Sequence, residues 1–516
     1  MYNSSKDSIS IFRNYLLEEF YINGITELAC VRKEVFDQTP NDKSIAPACV
    51  LFYQYANGNN TDSNVITHIS IKPSRLFSLF KIFSIYRTDI QKIQQNRLKE
   101  HDWLWKVLVY GSYLDYLLIS RLKNQPSVKT YVNDSTRFVY ATGVTFSETE
   151  SKYDSSEWFG RPFIDTYAVN RFSLNQNKIE LFDTLRLGRN RNSQQDIFQA
   201  PMLLIRHGLD IEQLTARAVV SFQDAIFKKS LLSIKAYNMD DINVLKNIAC
   251  ILSSDIMSYF AILTFSSIGI ERENAKEYEL LSIPYVNIND SHYDNLTALY
   301  SSYDQESNKS FINESIIGKI KTKINNEEKK LNENIKDSLG VSCDERDLID
   351  YALNISRIYI RINSIVNSAT RIKLLQSSPL FKAIQKNDHL LIDYAEVYIE
   401  RFADSFNRNK KRFVVEIYHS LQIIGMKFKI IDEKKYTNAI IVSSEHNKSL
   451  FAMAITLSPE RITDNLFVQK DVRGFERDFF YIFKPNERRL WHRAIAHLDV
   501  NEFADAMLKV GGDENE

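Results

Sequence analysis

The chain has 516 residues, 44% of them hydrophobic and 25% charged, with 65 Lys+Arg balanced by 65 Asp+Glu. That length is enough for two to four domains with cores of their own, and the composition is that of an ordinary globular protein. A net charge of zero excludes a globally basic nucleic-acid binder, so any DNA-binding face must gather its cations locally.

The four cysteines, Cys30, Cys49, Cys250 and Cys343, are widely spaced and form no CxxC pair, which argues against a zinc site or a disulfide framework. Cys30 and Cys250 sit in apolar runs and read as core. The opening MYNSSKDSISIFRNYLL has no apolar h-region, and no stretch reaches about 18 uninterrupted apolar residues. The expected compartment is the reducing cytoplasm.

In chain order, SISIFRNYLLEEF reads as a capped helix, APACVLFYQYA as a buried strand and VITHISIKP as a second strand after the polar turn NGNNTDSN. Together they make half of an α/β sheet, whose unpaired edge something should cover. HDWLWKVLVYGSYLDYLLISRL is helical, with a turn or kink expected at Gly111 and with Trp103 and Trp105 in the core. In YATGVTFSETESKYDSSEWFGRPFID, the residues Trp158, Phe159 and Gly160 suit either a stacking platform or a loop packed on the core, the second being favoured.

The stretch from Phe182 to Pro284 follows. FDTLRLGRNRNSQQDIF carries Arg186, Arg189 and Arg191 among Gly and Asn. APMLLIRHGL reads as a strand ending on Arg206, ARAVVSF as a second strand, Lys228 and Lys229 as a basic turn, and LLSIKAY as a further strand. DDINVLKNIACILSSDIMSYFAILTFSS is periodic at three to four residues and predicts one long amphipathic helix opening on the caps Asp240 and Asp241. Arginines on short loops beside a rigid core suit contacts to phosphates and base edges, although solvated charged loops are equally common.

Beyond SIPYV, the segment SIIGKIKTKINNEEKKLNENIKDSLG predicts an exposed helix stopping at Gly340 and serving as a hinge. ERDLIDYALNISRIYIRINSIV and LLIDYAEVYIERFADSF predict a helical pair. NRNKKRF is a basic cluster that reads first as a solvated loop. FVVEIYHSLQIIGMKFKII, AIIVSSE, SLFAMAITL and FFYIFKP predict a small α/β domain closed by the helix VNEFADAMLKVG.

Three features carry a resemblance. APMLLIRHG, the helix with Ser253, Ser254, Tyr259 and Phe260, and the closing SIPYV are similar to the target recognition domains of bacterial restriction-modification enzymes. FRNYLLEEFYINGITELACVRKEVFDQ through DWLWKVLVYGSYLDYLLISRL resembles the part of N6-adenine DNA methyltransferases that follows their catalytic motif. FFYIFKPNERRLWHRAIAHLDVNEFADAMLK resembles the C-terminal tail of the same class. The family's cofactor loop (FxGxG) and catalytic tetrapeptide (NPPY) do not occur in this sequence, the nearest stretches being APAC at Ala46 and SSPLF at Ser377. The resemblance therefore implies an α/β (α+β) protein in four parts. These are a remnant of a methyltransferase-like sheet (1–125), a target recognition domain (126–290), a helical spacer (291–406) and a small C-terminal α/β domain (407–516).

It further implies double-stranded DNA as a partner, contacted by Arg186, Arg189, Arg191, Arg206, Lys228 and Lys229, and a separate catalytic methyltransferase subunit. No catalytic, cofactor or metal residue is expected in this chain, with S-adenosylmethionine supplied in the assembly by that subunit. A truncated, inactive methyltransferase remnant and a DNA-sensing interaction protein of a phage-defence cluster are the alternatives. Asp432, Glu433 and Lys434 have the wrong spacing for a nuclease, and His492 and His497 lie five apart, off one helical face.

Overall fold

The computed structural model describes residues 8–36, 47–75, 77, 82–146, 155–183, 187–189, 192–270, 273–288, 291–309, 313–365, 368–407, 410–432, 438–442, 460–463 and 466–513. The fold is mixed α/β, with several small sheets. The chain forms two compact units. One is assembled from both ends, Met1–Leu114 with Asp350–Glu516, and the other is the intervening Asp115–Ile349. Residues 291–406, read from composition as one spacer, are divided between them.

The first unit opens with helix α1 (Ser8–Glu19) and strand β1 (Phe20–Glu27). Next come β2 (Cys49–Tyr55), β3 (Val65–Ser70), β4 (Phe83–Tyr86) and β5 (Ile90–Gln94). The sheet order is β2-β1-β3-β5, with β1 and β3 parallel and the outer pairs antiparallel. FYINGITE, which follows the first helix, thus supplies the strand that joins the two expected ones. The expectation that β2 is buried is not met: Phe52, Tyr53 and Tyr55 are each more than half exposed. β2 carries only β1 as a neighbour among the described residues, so it is an edge, and its apolar run reflects an open surface rather than a core. Helix α2 (Leu104–Tyr110) is wholly buried and ends at Gly111, as the sequence indicated.

Helix α3 (Tyr113–Lys123) leads into the second unit. Its strands are β6 (Phe138–Thr142), β7 (Thr145–Phe146), β8 (Pro162–Ile164), β9 (Ile179–Leu181), β10 (Leu187–Arg189), β11 (Met202–Arg206), β12 (Ala218–Ser221), β13 (Ile226–Phe227) and β14 (Leu231–Ala236). β12-β11-β14-β6 is an antiparallel sheet with β11 near its centre. Trp158, Phe163, Phe182, Phe198 and Phe227 pack beneath it, which accounts for the buried Trp158.

The single long helix expected from the periodicity is two, α4 (Ile242–Leu252) and α5 (Asp255–Thr264), bent by 62°. The Ser253-Ser254 pair causes the break: Ser254 Oγ accepts the Met257 N–H at 3.4 Å and caps the second helix. Asp241 does not cap the first. Its carboxylate instead takes the Arg137 guanidinium, at 2.5 Å from Nη2.

Helices α6 (Ser291–Ser307) and α7 (Glu314–Ser338) complete this unit. Ile324, Leu331 and Ile335 are buried along α7, and its end turns at Gly340 with φ +61°. A helix fixed by three buried apolar residues, each contributing about 1.5–3 kcal/mol, is a packed element rather than a free hinge.

The chain then returns to the first unit through α8 (Arg357–Ser364), α9 (His389–Phe406), β15 (Lys411–His419), β16 (Ile423–Asp432), β17 (Ile440–Val442), β18 (Glu460–Thr463), β19 (Leu466–Gln469), β20 (Val472–Phe475), β21 (Phe479–Pro485) and α10 (Arg493–Asp513). β17-β15-β16-β21-β20 form a sheet, and β18-β19-β4 a second one. In the latter, β19 runs parallel to β4, Leu466 opposite Phe83, so the two ends of the chain share hydrogen bonds.

Among the described residues no single helix is long and apolar enough to cross a membrane.

Candidate nucleic-acid interface

Of the six cations singled out from the sequence, four lie among the described residues: Arg189, Arg206, Lys228 and Lys229. Arg186 and Arg191 lie outside the described residues. Arg189 ends β10, whose backbone pairs with β7, Arg189 opposite Thr145. The residue before Thr145, Val144, bridges to Lys228, and the Lys229 N–H donates to Val144 O at 2.8 Å. The arginine-bearing strand and the basic turn, about forty residues apart, therefore meet on the Val144–Phe146 segment. That close approach depends on Gly143, where a Cβ would stand 2.0 Å from Phe227 O.

Arg206 lies at the end of β11, beside the start of β14, where the His207 N–H donates to Ser230 O at 3.1 Å. Its guanidinium carbon is 5.7 Å from the ring centroid of Tyr167, a residue 69% exposed. Asp165 caps the 3-10 turn Thr166–Ala168 that holds this tyrosine, Oδ1 accepting the Tyr167 N–H at 3.4 Å. Thr166 Oγ1 and Ser230 Oγ share a hydrogen bond that ties the turn to β14.

The charges along this edge are unequal. Lys228 is ion-paired with Asp165 and lies 5.7 Å from the Phe146 ring and 5.8 Å from that of Phe163. Burial draws the Asp165 carboxyl upward, yet the Lys228 ammonium and the Tyr167 and Thr166 N–H groups hold it below its usual range. Arg217 is paired with Asp210 at 2.9 Å. Arg206 has no carboxylate partner among the described residues, and its Nε is buried without a hydrogen-bond partner there. Burial, and then the neighbouring Arg217 charge, make its protonated form less favourable than usual. An anion would relieve both. Lys229 is exposed, and no carboxylate pairs with it among the described residues.

The edge thus offers an unpaired, half-buried arginine, an exposed aromatic face and an exposed lysine, with Lys228 and Arg217 held in reserve by carboxylates. Such a set suits a phosphate backbone, with a flat side chain available to a base or sugar. Tyr167 and Arg217 were not singled out from the sequence. The signal for Tyr167 lay in Asp165-Thr166, an Asx cap that fixes the residue after it.

No protein-family model and no curated protein matches the chain. Several solved structures are similar over part of it, among them two restriction enzymes. The type IIG restriction endonuclease BpuSI shares 10% identity at a TM-score of 0.25, covering 65% of this chain and 46% of that one. The type IIL restriction-modification enzyme MmeI, solved in complex with DNA, shares 11% identity at a TM-score of 0.33, covering 68% and 48%. The chain spans about half the length of either. At TM-scores below 0.5 neither likeness carries a functional argument, so function rests on the residues themselves.

Ser378 of SSPLF caps a 3-10 turn, accepting the Leu380 N–H at 3.3 Å, and Leu380 and Phe381 are buried. That turn is closed by core packing, and Ala46 of APAC lies outside the described residues. Among the described residues no group of three His, Cys, Asp or Glu side chains is placed to hold a metal.

Proposed function

We propose that this chain is the DNA-recognition subunit of a restriction-modification system and binds duplex DNA along the Arg206–Tyr167–Lys229 edge of its second unit. The single observation that supports this most is Arg206, a cation with no carboxylate partner among the described residues, stacked beside an exposed tyrosine at a strand end. The sequence resemblance to target recognition domains supplies the setting. Arg189 enters the same edge in this proposal, because β10 and the Lys228-Lys229 turn meet on one segment; Arg186 and Arg191 join the proposal from the sequence resemblance alone.

Adenine N6-methylation belongs to the proposal as the act of a separate catalytic chain that brings S-adenosylmethionine. The open edge of β2, with Phe52, Tyr53 and Tyr55 exposed, supports a protein partner of this kind. A cytoplasmic location accords with four free cysteines.

The test is enrichment of a mixed-sequence duplex library over a salt series, using the full chain and Arg206→Ala/Lys229→Ala. A shared motif among enriched duplexes, and a slope of log affinity on log salt that falls by about 0.9 for each cation removed, support the proposal. Unchanged binding by the double variant sinks this edge, and no duplex binding at low salt sinks the recognition role for the chain alone.

A further inference from the structure

The second unit also holds an open cleft of about 780 Å³ between the Phe172–Asn177 turn, the Val219–Gln223 strand end and helix α6. Its walls are rich in carboxamides: Asn175, Gln176, Asn177, Gln223, Gln305 and Asn308. Among the described residues the one charged side chain lining it is Asp304, and neither lysine nor arginine does so. Phe222, 63% exposed, stands on its wall.

The cleft is fixed rather than collapsible. Phe172, at φ +55° and fully buried, packs its ring 5.7 Å from Tyr293 and 5.8 Å from Tyr300. The preceding Arg171 donates to Ser253 O at 2.7 Å and pairs with Glu328 at 3.0 Å. Ser173 Oγ donates to Asp304 Oδ2 at 2.7 Å, which orients the carboxylate and leaves Oδ1 able to accept a further hydrogen bond. The Asn175 N–H donates to Ala168 O at 2.8 Å, joining this wall to the turn that carries Tyr167.

We propose that this cleft binds an unpaired nucleobase bearing an exocyclic amine, held face-on by Phe222 and at its edge by carboxamides and Asp304. Asn175 Oδ1 already accepts the Asn177 N–H at 3.1 Å and caps the turn, but each of the other carboxamides presents a donor and an acceptor in one plane, the arrangement that meets a base edge in two bonds. The free carboxylate oxygen accepts from an exocyclic amine, as on cytosine or adenine, whereas unpaired thymine offers only its N3–H, flanked by two carbonyl oxygens that repel the carboxylate. With no cation in the walls and one carboxylate among them, phosphate is not what the cleft holds. The DNA reading suggests only the class of ligand, and either site can fail without the other.

Saturation-transfer NMR on the full chain, with cytidine, adenosine, thymidine and methyl glucoside each at millimolar concentration, tests this. Cytidine and adenosine should receive saturation on their base protons, thymidine several-fold less. Phe222→Ala should remove most of the signal, since base–aromatic stacking supplies roughly a tenfold or greater part of such affinity. Asp304→Asn should narrow the difference between cytidine and thymidine, and raised salt should leave the signals unchanged. Absence of saturation for both amine-bearing nucleosides, full signal in Phe222→Ala, or equal signal from methyl glucoside would each overturn the proposal. Duplex binding that is lost in Arg206→Ala while nucleoside saturation persists separates the two sites.

Discussion

Arg489 and Asp89, 400 residues apart in sequence, form a two-pronged ion pair in the buried interior of the first unit, with Nη1–Oδ1 at 2.5 Å and Nη2–Oδ2 at 2.8 Å. Asp89 also accepts from Lys72 at 3.4 Å and from the Tyr86 N–H at 2.9 Å. The carboxylate is thereby satisfied on both oxygens. Asp89→Asn leaves a buried guanidinium uncompensated and should cost about 3–5 kcal/mol of stability by urea denaturation. In a double-mutant cycle with Arg489→Met, the combined loss should be well below the sum. Simple additivity would show that the pair does not act as a unit.

The same carboxylate gives an acid limb. Burial pushes Asp89 up, but Arg489 and Lys72 outweigh it and hold the carboxyl below its ordinary value of 3.8. A depressed carboxyl contributes stability that is present above the unfolded value and lost as pH falls through the folded one, so this contribution begins to decline below about pH 4 and is gone once the pH is below the lower folded value, as urea midpoints over that range would show.

His68 acts at higher pH. It is fully buried on β3, neither ring nitrogen has a hydrogen-bond partner among the described residues, and burial, with Lys72 adding to it, pushes its pKa down to about 3. The unfolded chain takes up this proton near pH 6.5 and the folded chain does not, so stability should fall with falling pH from about 6.5, by up to ~1.4 kcal/mol per unit. His68→Leu should flatten urea midpoints between pH 6.5 and 4 without loss at pH 8. An unchanged slope would assign the acid sensitivity elsewhere.

At β2, Phe52→Lys with Tyr53→Lys places charge on an edge strand whose seven residues carry none. Both side chains are exposed, so thermal unfolding should shift little, while self-association of the chain alone, read by sedimentation velocity, should decrease. Equal sedimentation of the two proteins across concentration would mean that the edge is already covered.

Among the cations of the second unit, Arg206→Ala should weaken duplex DNA binding more than Lys228→Ala, because Lys228 must first give up Asp165. Asp165→Ala should strengthen binding at low salt by releasing Lys228, and it should also loosen the Tyr167 turn. Filter binding at two salt concentrations separates these effects. A larger loss from Lys228→Ala would reverse the ranking drawn from the ion pairs.

Much of the second unit was legible in sequence because its strands are short apolar runs bounded by turn residues. MLLIR, AVVS and LLSIKA all lie where the pattern put them. The break at Ser253-Ser254 was not legible, since apolar periodicity runs through it and only the Ser254 cap stops the helix. β2 was misread for a related reason: an apolar strand has the same composition whether it faces a core or an open edge. The tail FFYIFKPNERRLW was noticed without a role. Its Lys484 is bound by Asp499 and by Tyr394 Oη at 3.1 Å, Trp491 Nε1 donates to Pro485 O at 2.9 Å, and Arg489 reaches Asp89. The pairings to Tyr394 and Asp89 cross 90 and 400 residues, and none of the four leaves a periodic trace. At the candidate edge, the positions of Arg206 and Lys228 could be read, whereas Arg206's lack of a carboxylate partner and Lys228's ion pair could not.

The shared first unit also sets a schedule for synthesis. At about 5–20 residues per second, the 400 residues between Asp89 and Arg489 take roughly 20–80 s to emerge from a ribosome. During that interval the β2-β1-β3-β5 sheet is made, but β4 lacks its partner β19 and Asp89 lacks the Arg489 guanidinium, while the intervening unit has every residue it needs to fold first. Emergence of β19 and Arg489, rather than of the N-terminal strands, is therefore the moment at which the first unit can close.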